Sequence, residues 1–479
     1  MEAAIAFAVI IDNEMLMKKK DIWTALDEDR NKLIPGKSPI PSTHMRDHIF
    51  NFSLLKSDRR NFLKSVGLGS VAFSLATACS KSAVKKGLPF FPNSSDAKPG
   101  QELYYKTTCP VCLAHCPLSV KTIDYRPVKI EGNNEYPKTS GGLCASAHAS
   151  LFDLYNRERI TKPYKGPLEK TWKELDIEIR SKLQELSARG KEIAILSDHI
   201  NSPASLQLLS DFKTEYPATQ LYFLNPLFPD ALIQANKKCF GKAVIPSFHF
   251  SKARLIVSFG ADFLASWLNP VEFTQEYLAM RDIDNSRSLS YHIQFESQYS
   301  ITAASADKRF RIKPSEEGII LRALYDYLQT KSILPPHKPI EEKYEIARLA
   351  EKLLEYRGRS IVISSSNDTA IQMLVTGINS LLDNYGRSID LDNPFLKIPQ
   401  ENGSVNELIS KIEKNQIAAL VCWNKDLHSD YPVFNDLQDN LEAIELKISF
   451  NHYRDRFSEY ADYLCPDHHY LEAWNNYVS

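Results

Sequence analysis

The sequence predicts an α/β protein in which a small cysteine-rich N-terminal domain precedes two α/β domains with largely parallel sheets. Four of the eight cysteines lie within 36 residues of one another. After residue 170, short apolar stretches alternate with helical periodicity, as in sheets that helices cover on both faces. The chain has 479 residues, which is more than one hydrophobic core usually holds, so several domains are expected.

The composition is that of an ordinary globular protein. Hydrophobic residues make up 43% of the chain and charged residues 24%. The formal net charge is −1, so no overall field attracts nucleic acid, and we expect no nucleic-acid partner. No run of about 18 apolar residues occurs, so the sequence predicts no transmembrane helix.

The first hundred residues are predicted to form an extension, a signal region and a linker, over residues 1–57, 58–80 and 81–100. The stretch from Met17 resembles a natural start, so we interpret the preceding 16 residues as an upstream misassignment of the start. Arg59 and Arg60 precede Phe-Leu-Lys and a mild apolar run, which is the order of a twin-arginine export signal. An amphipathic helix with a surface arginine pair is the alternative.

Cys79 ends the apolar run of the signal region. The preceding Leu-Ala-Thr-Ala resembles a degenerate lipobox, so Cys79 is a candidate lipidation site. These features predict export by the twin-arginine route to the periplasmic face of the cytoplasmic membrane. The protein would be peripheral there or held by a lipid anchor.

The clustered cysteines predict a [4Fe–4S] centre. Three of them have the spacing C-x2-C-x3-C, which wraps one side of a cube, and the fourth comes from a distant turn. The four residues are Cys109, Cys112, Cys116 and Cys144. Gly141 and Gly142 precede the fourth cysteine and permit a close backbone approach. We therefore predict a cluster domain over residues 101–165.

Zinc and disulfides are the alternatives for these cysteines. Structural zinc sites usually pair two C-x2-C motifs, and the observed spacing fits that pattern poorly. Disulfides suit an exported protein, but the twin-arginine route carries folded proteins that already hold their cofactors. His115 is a further candidate ligand, although its place between Ala114 and Cys116 also suits a solvent-exposed loop residue.

Alternating strands and helices predict two α/β domains, over residues 166–335 and 336–479. A helix is predicted from Trp172, because apolar residues then recur at helical spacing until Gly190 provides a stop. Short apolar strands are also predicted, and they are EIAILSD, QLYFL, ARLIVSFGAD, SIVISSS and IAALVCW. Such nearly continuous apolar strands are typical of parallel sheets that are buried on both faces.

The segments CPVCLAHC, RPVKIEGN, GGLC and DLYNRERITKPYKG resemble, in this order, the opening of the molybdopterin oxidoreductases of the dimethyl-sulfoxide-reductase type. The resemblance runs from residue 100 to the end. It implies the fold of that family, with a [4Fe–4S] cluster on the four cysteines. It also implies a further pterin-binding domain, so we interpret this sequence as truncated before the family's C-terminal domain.

Three later segments, GADFL, ITAASADKRFRIKPSE and PDHHYLEAW, resemble more narrowly the large iron–sulfur subunit of bacterial alternative complex III. That complex oxidises menaquinol and passes electrons towards cytochromes and an oxidase. The resemblance implies partners, namely a membrane quinol-binding subunit and cytochrome and ferredoxin-like subunits. It implies a subunit that lacks the pterin. The ordinary version also lacks the cluster cysteines, which this sequence keeps.

Catalytic relatives hold molybdenum through a side chain that would fall near residues 225–231 of this chain. Asp230 and Cys239 are the candidate ligands, and a turn or capping aspartate and a buried packing cysteine are the alternative interpretations. Many relatives also carry a lysine where this chain has Ser146. A molybdenum bis-pterin guanine dinucleotide is therefore the second cofactor hypothesis.

No side chain is predicted to act as a catalytic acid, base or nucleophile. His468 and His469 follow Pro466 at a predicted strand-to-helix turn, and we interpret them as capping and surface hydrogen-bonding residues. Core or rim positions are predicted for three tryptophans that follow apolar strands, Trp267, Trp423 and Trp474.

The favoured function is electron transfer by one [4Fe–4S] cluster, in a membrane respiratory complex of the quinol-oxidising alternative complex III type. The first alternative is a molybdenum bis-pterin reductase of the polysulfide or thiosulfate type. The second is a cofactor-free structural scaffold. The iron and molybdenum content of the protein separates the three hypotheses.

Overall fold

The computed structural model describes residues 100–479 except 224, 285–288, 333, 335–337, 398–402, 424–426, 475 and 478–479. The predicted extension, signal region and linker, with Arg59, Arg60 and Cys79, lie outside the described residues. No helix in the described part of the chain is both long enough and apolar enough to cross a membrane.

A three-stranded antiparallel sheet and one helix form the cluster domain. They are β1 (Glu102–Thr108), β2 (Pro117–Ile123), β3 (Arg126–Gly132) and α1 (Ala145–Tyr155). Leu118 and Val120 of β2 pack with Ile130 of β3 in a small apolar core. The loop between β1 and β2 carries the first three cysteines, and α1 begins directly after the fourth.

The next part of the chain alternates strands and helices as predicted. The elements are β4 (Tyr164–Lys165), β5 (Leu168–Glu169), α2 (Trp172–Ala188), β6 (Glu192–Ser197), α3 (Pro203–Glu215), β7 (Thr219–Phe223) and α4 (Asp230–Phe240). Helix α2 begins at the predicted Trp172, where Thr171 and Glu174 form a capping box. It ends before Gly190, whose φ of 65° is the left-handed conformation that favours glycine after a helix.

The middle of the chain builds a second α/β unit. Its elements are β8 (Val244–Ile245), β9 (Ser247–Phe248), β10 (Leu255–Phe259), α5 (Pro270–Ala279), β11 (Tyr291–Glu296), α6 (Ile301–Ala304), β12 (Lys308–Arg311), α7 (Glu317–Thr330), α8 (Lys338–Tyr344), α9 (Ile346–Glu355), β13 (Ser360–Ser364), α10 (Thr369–Leu381), β14 (Ile389–Asp390) and β15 (Leu396–Lys397). Every residue of β10 and β13 is buried, as strands covered on both faces require. Two short antiparallel ribbons pair β9 with β14 and β8 with β15.

The last part of the chain contains three more strands. Its elements are α11 (Val405–Glu413), β16 (Ile417–Trp423), α12 (Leu427–Asp430), α13 (Gln438–Glu442), β17 (Leu446–Ser449), α14 (Arg456–Tyr460) and β18 (Tyr463–Leu464). Trp423 and Trp267 are partly buried against apolar clusters, as predicted. Trp474 is 74% exposed, which places it on the surface rather than in the core.

Two largely parallel sheets organise these elements. The strand orders are β5-β4-β18-β17-β16-β6-β7 in one sheet and β12-β11-β10-β13 in the other. All pairs are parallel except those that involve the short β4 and β5. Apolar clusters lie on both faces of each sheet. The α/β class with largely parallel sheets is therefore confirmed.

The two sheets do not follow the predicted division into residues 166–335 and 336–479. Strands β6 and β7 pair with the much later β16 to β18, whereas β10 to β13 form the other sheet between them in sequence. The seven-stranded unit is thus discontinuous, and the four-stranded unit is inserted into it. A crossover between parallel strands can hold a whole domain, and an apolar strand pattern does not encode its pairing partner.

Candidate iron–sulfur centre

The loop between β1 and β2 brings three of the predicted cysteines to one end of the cluster domain. Strands β1 and β2 pair along their whole length. Beyond the last pair, the backbone N–H of Cys109 donates to the Cys116 oxygen at 2.9 Å, and that of His115 donates to the Cys112 oxygen at 3.3 Å. The antiparallel ladder therefore sets Cys109 opposite Cys116 at the neck of the loop, with the exposed Cys112 between them in the chain.

A tight glycine turn precedes the fourth cysteine. Gly141 has a φ of 78°, and Cys144 is the N-cap residue of α1. A Cβ atom on Gly132, at the end of β3, would lie 2.4 Å from the Gly141 oxygen and 2.5 Å from the Gly142 oxygen. The predicted close backbone approach at Gly141 and Gly142 is therefore present. Gly132 was not among the predicted site residues, and its only signal in the sequence is a glycine at the end of a strand.

All four cysteines are free thiols, and they influence one another. Cys109 and Cys116 are buried in the core of the cluster domain, and Cys144 is half-buried against it. Burial, together with the smaller effect of the charges on the other thiolates, raises the pKa of Cys109 and of Cys116 to about 12. The structure thus brings the four predicted sulfur atoms within electrostatic reach of one another.

Backbone N–H groups in the loop form hydrogen bonds to two of the sulfur atoms. The N–H of Val111 interacts with the Cys109 sulfur and that of Ala114 with the Cys112 sulfur, and each lowers the pKa of its thiol against the larger effect of burial. Hydrogen bonds to sulfur are among the features that tune iron–sulfur clusters. Buried thiolates also require positive charge, which iron would supply. The donor set therefore fits a [4Fe–4S] cluster.

A single metal ion needs a different arrangement. Among the residues that the structure describes, no three His, Cys, Asp or Glu side chains are grouped to hold one ion. Zinc would draw its four ligands to about 2.3 Å from one centre. A four-iron cube instead takes one thiolate on each iron, so its ligands stand farther apart.

His115 is a buried residue, and the expectation of a solvent-exposed loop position is wrong. The residue is only 4% exposed, and its backbone has a left-handed φ of 41°. The Nδ1 atom lies 3.3 Å from the backbone oxygen of Cys109. On its face the ring stacks on Tyr477, with the two centroids 5.2 Å apart.

Asp198 and His199 lie near the cysteine loop and were missed by sequence analysis. They follow β6, at the carboxyl end of the seven-stranded sheet. Asp198 interacts electrostatically with Cys112 and with His115. Burial lowers the pKa of His199 to about 4, and neither of its ring nitrogens has a hydrogen-bond partner among the described residues. The one available signal was their position, because ligands often bind at the carboxyl ends of parallel strands.

The two candidate molybdenum ligands lie at opposite ends of α4. Asp230 is its first residue and Cys239 its penultimate one, so about 13 Å of helix separates them. Asp230 lies in the first turn, where a carboxylate interacts favourably with the helix dipole. Cys239 is exposed, so its alternative interpretation as a buried packing cysteine is wrong. Ser146 is exposed in the first turn of α1.

His469 joins the C-terminal segment to the cluster domain. Its Nε2 lies 3.1 Å from the Ser150 backbone oxygen in α1, and its Nδ1 accepts the Leu471 N–H at 3.3 Å. The Tyr470 hydroxyl adds a 2.8 Å bond to the Ser150 hydroxyl. His469 is thus a hydrogen-bonding residue, but it is buried and not at the surface as predicted. His468 is half-buried.

The carboxyl edge of the four-stranded sheet carries acidic residues that bond within the chain. After β10, Asp262 accepts the Thr302 hydroxyl at 2.6 Å. At the end of β11, the buried Glu296 accepts Arg309 Nε at 2.7 Å and the Ser300 hydroxyl at 2.7 Å. Arg309 therefore already has a carboxylate partner at this edge.

The same edge continues after β13 with two more carboxylates. The Ser364 hydroxyl donates to Glu317 at 2.5 Å, and burial raises the pKa of Glu317. Asp368 caps α10 and accepts the Ala370 N–H at 2.7 Å. Diphosphates usually bind at this edge of an open α/β sheet through free N–H groups at helix N-termini. Here the Asp368 carboxylate accepts the N–H groups at the start of α10.

Comparison with protein families matches residues 102–156 to the molybdopterin oxidoreductase Fe4S4 domain. The chain is 22% identical over 508 residues to the thiosulfate reductase molybdopterin-containing subunit of Salmonella typhimurium, covering 86% of this chain and 63% of that protein. It is 25% identical over 276 residues to the menaquinone reductase, molybdopterin-binding-like subunit of Nitratidesulfovibrio vulgaris, covering 54% of this chain and 38% of that protein.

A third relative is the arsenate respiratory reductase molybdopterin-containing subunit of Shewanella sp., which is 22% identical over 353 residues, covering 68% of this chain and 38% of that protein. This chain spans less than two thirds of the length of each of these relatives. The matched domain coincides with the cysteine loop, and the parallel sheets follow it as the family resemblance implies. Together, these comparisons support the assignment of the chain to the molybdopterin oxidoreductase superfamily.

Proposed function

We propose that this protein is an electron-transfer subunit that holds one [4Fe–4S] cluster on Cys109, Cys112, Cys116 and Cys144. The observation that carries the proposal is that four free thiols lie within electrostatic reach of one another, with loop N–H groups bonded to two of the sulfurs. A bound cluster would supply one-electron redox chemistry. The loop orients the ligands, and the surrounding apolar core excludes water from Cys109 and Cys116.

Electron transfer is favoured over bond-making chemistry by the rest of the chain. At the carboxyl edge of the four-stranded sheet, the Asp368 carboxylate already accepts N–H groups at the start of α10, the kind of donor that a dinucleotide diphosphate would use. Of the two alternative molybdenum ligands, Asp230 lies in the first turn of α4 and Cys239 is exposed near the end of that helix. These features support a conduit for electrons rather than a site of substrate conversion.

The proposed setting is a membrane respiratory complex of the quinol-oxidising alternative complex III type. A membrane quinol-binding subunit and cytochrome and ferredoxin-like subunits are the proposed partners, and the sequence resemblance supports them.

The proposed location is the periplasmic face of the membrane. The protein would reach it through the export signal with Arg59 and Arg60, and Cys79 is the candidate lipid anchor. Substitution of both arginines by lysine should leave the protein in the cytoplasmic fraction, and unchanged export would contradict this route.

A molybdenum bis-pterin reductase is the second candidate function. The observation in its favour is the similarity over 508 residues to a subunit that is named as molybdopterin-containing. A cofactor-free scaffold is the third candidate. It would keep the fold without using the thiols.

Elemental analysis of the full chain, purified without oxygen, separates the three candidates. About four irons and no molybdenum per chain is the expected result for an electron-transfer subunit. Four irons with one molybdenum would replace the proposal by the reductase. Absence of both metals from a folded protein would replace it by the scaffold.

A further inference from the structure

His115 interacts with several cysteine residues of the loop through its backbone and its ring. Its backbone N–H donates to the Cys112 oxygen at 3.3 Å. Its ring, on the inside of the loop, places Nδ1 3.3 Å from the Cys109 oxygen. The Cys109 N–H in turn donates to Cys116 at 2.9 Å. These three bonds connect the three cysteines of the loop, and the His115 side chain supplies the one to Cys109.

The geometry defines which nitrogen of His115 carries the proton. A backbone oxygen can only accept, so the 3.3 Å contact requires the proton on Nδ1. The stack on Tyr477, with an angle of 15° between the rings, holds the imidazole plane in place.

We propose that His115 is a positioning residue that sets the reduction potential of the iron–sulfur cluster through its Nδ1–H bond to the Cys109 oxygen. The inference rests on the proposed function, because it assumes that the four cysteines hold the cluster. Partners of the ligating residues commonly tune a bound metal centre. With the bond present, the partial negative charge of the Cys109 oxygen is balanced by a donor.

Loss of that bond should shift the reduction potential in one direction. An unbalanced carbonyl oxygen next to the ligand disfavours the more negative, reduced cluster, so the reduction potential should fall. One hydrogen bond changes an equilibrium by roughly fivefold. We therefore expect the ratio of oxidised to reduced cluster, at a fixed applied potential, to rise roughly fivefold without the donor.

The test compares two substitutions in the full chain. His115→Phe keeps a ring against Tyr477 but removes the donor. His115→Asn keeps a short donor for the Cys109 oxygen and tolerates the left-handed backbone. His148→Asn, at an exposed position in α1, is the matched control. Redox titration followed by electron paramagnetic resonance gives the potential, and iron per chain gives the loading.

The expected result is a lower potential in His115→Phe, with His115→Asn and His148→Asn within about twofold of the wild-type ratio. A wild-type potential in a fully loaded His115→Phe would overturn the inference. An equal shift in both His115 variants would also overturn it, because the ring and not the bond would then matter. Should His115→Phe fail to load iron, His115→Ala, which also lacks the donor, takes its place: a lower potential supports the inference and a wild-type potential rejects it. Wild-type protein without iron would instead refute the proposed function, and the inference with it.

Discussion

Cys109 and Cys116 face each other at the neck of the loop, inside the apolar core of the cluster domain. Burial makes their thiolates costly, since it raises the pKa of both thiols to about 12. Only bound positive charge makes ionised sulfur favourable at such positions. Ionised sulfur at these two residues therefore requires bound iron.

Substitution of Cys109 by serine should remove the cluster. A buried hydroxyl is a weaker ligand than a thiolate, so iron per chain should fall from about four to below about one. Cys239→Ser is the matched control, because Cys239 is exposed at the end of α4 and should leave the iron content unchanged. Full iron in Cys109→Ser, measured by elemental analysis, would show that Cys109 is not a ligand.

His292 is predicted to make the free energy of unfolding depend on pH. It is fully buried on β11, where its Nδ1 lies 3.3 Å from the Tyr277 hydroxyl and its Nε2 lies 3.2 Å from Gln294 Oε1. Burial lowers its pKa from 6.5 to about 4, so the unfolded chain binds the proton more readily. Stability is therefore fully present above pH 6.5 and is lost as the pH falls towards 4. Between these pH values the free energy of unfolding of the wild type should fall with decreasing pH. In His292→Gln this pH dependence should be smaller by up to about 1.4 kcal/mol per pH unit.

Denaturant unfolding of the wild type and of His292→Gln at several pH values checks this prediction. Protonation of carboxylates also destabilises the protein in acid, so the difference between the two proteins is the relevant quantity. Parallel curves between pH 6.5 and 4 would show that His292 does not contribute.

At the scale of the elements, the cluster domain depends on three backbone segments that meet closely. The β1–β2 ladder sets the neck of the loop, and the end of β3 packs against the turn before Cys144. The C-terminal segment then fixes α1 through His469 and Tyr470. The position of the fourth cysteine is thus set by packing between elements that are distant in the sequence.

Gly132→Ala tests the contact between β3 and this turn. The added Cβ would lie 2.4 Å from the Gly141 oxygen, so backbone must move, and a loss of about 1–3 kcal/mol in the free energy of unfolding is expected. Displacement of the turn before Cys144 should also lower the iron content. Thermal unfolding and elemental analysis measure the two effects.

Gly318→Ala is the matched control for this substitution. Its Cβ would meet only Ile371, at 3.8 Å, and it lies near the start of helix α7, where alanine is favoured over glycine. We expect equal or slightly higher stability and unchanged iron. Equal stability and equal iron content in the two variants would mean that the contact between β3 and the turn does not restrict the backbone.

At the scale of the whole molecule, one α/β unit is inserted into another. Strand β16 lies between β17 and β6, so the central part of the seven-stranded sheet joins segments from both ends of the described chain. Its core likewise combines Leu183 and Ile195 with Val421 and Ile448. Neither half of the sequence can therefore bury its own apolar strands.

A chain that ends at residue 335 should not fold. Without β16, strand β6 loses a neighbour on one edge, and its apolar residues lose much of their cover on both faces. We expect an insoluble product, or one without a cooperative thermal transition. Protection of the Ile193 to Leu196 amides from hydrogen exchange in such a fragment would contradict this topology.

The amino-acid sequence determined the local features, because they depend on neighbouring residues. Helix α2 follows from its capping box and apolar spacing, and the buried strands follow from their apolar runs. The spacing of the cysteines predicted a cluster domain, whose match to a known Fe4S4 domain supports the superfamily assignment. In each case the physical cause acts within about one turn or one strand.

Tertiary structure alone decided the features that depend on distant segments. The pairing of β6 with β16 could not be predicted, since apolar strands are interchangeable in their patterns. Burial of His115, the approach of Asp198 and His199 and the role of Gly132 likewise depend on contacts across the fold. The sequence thus determined which residues could hold a cluster, and packing between distant elements decided which residues surround it.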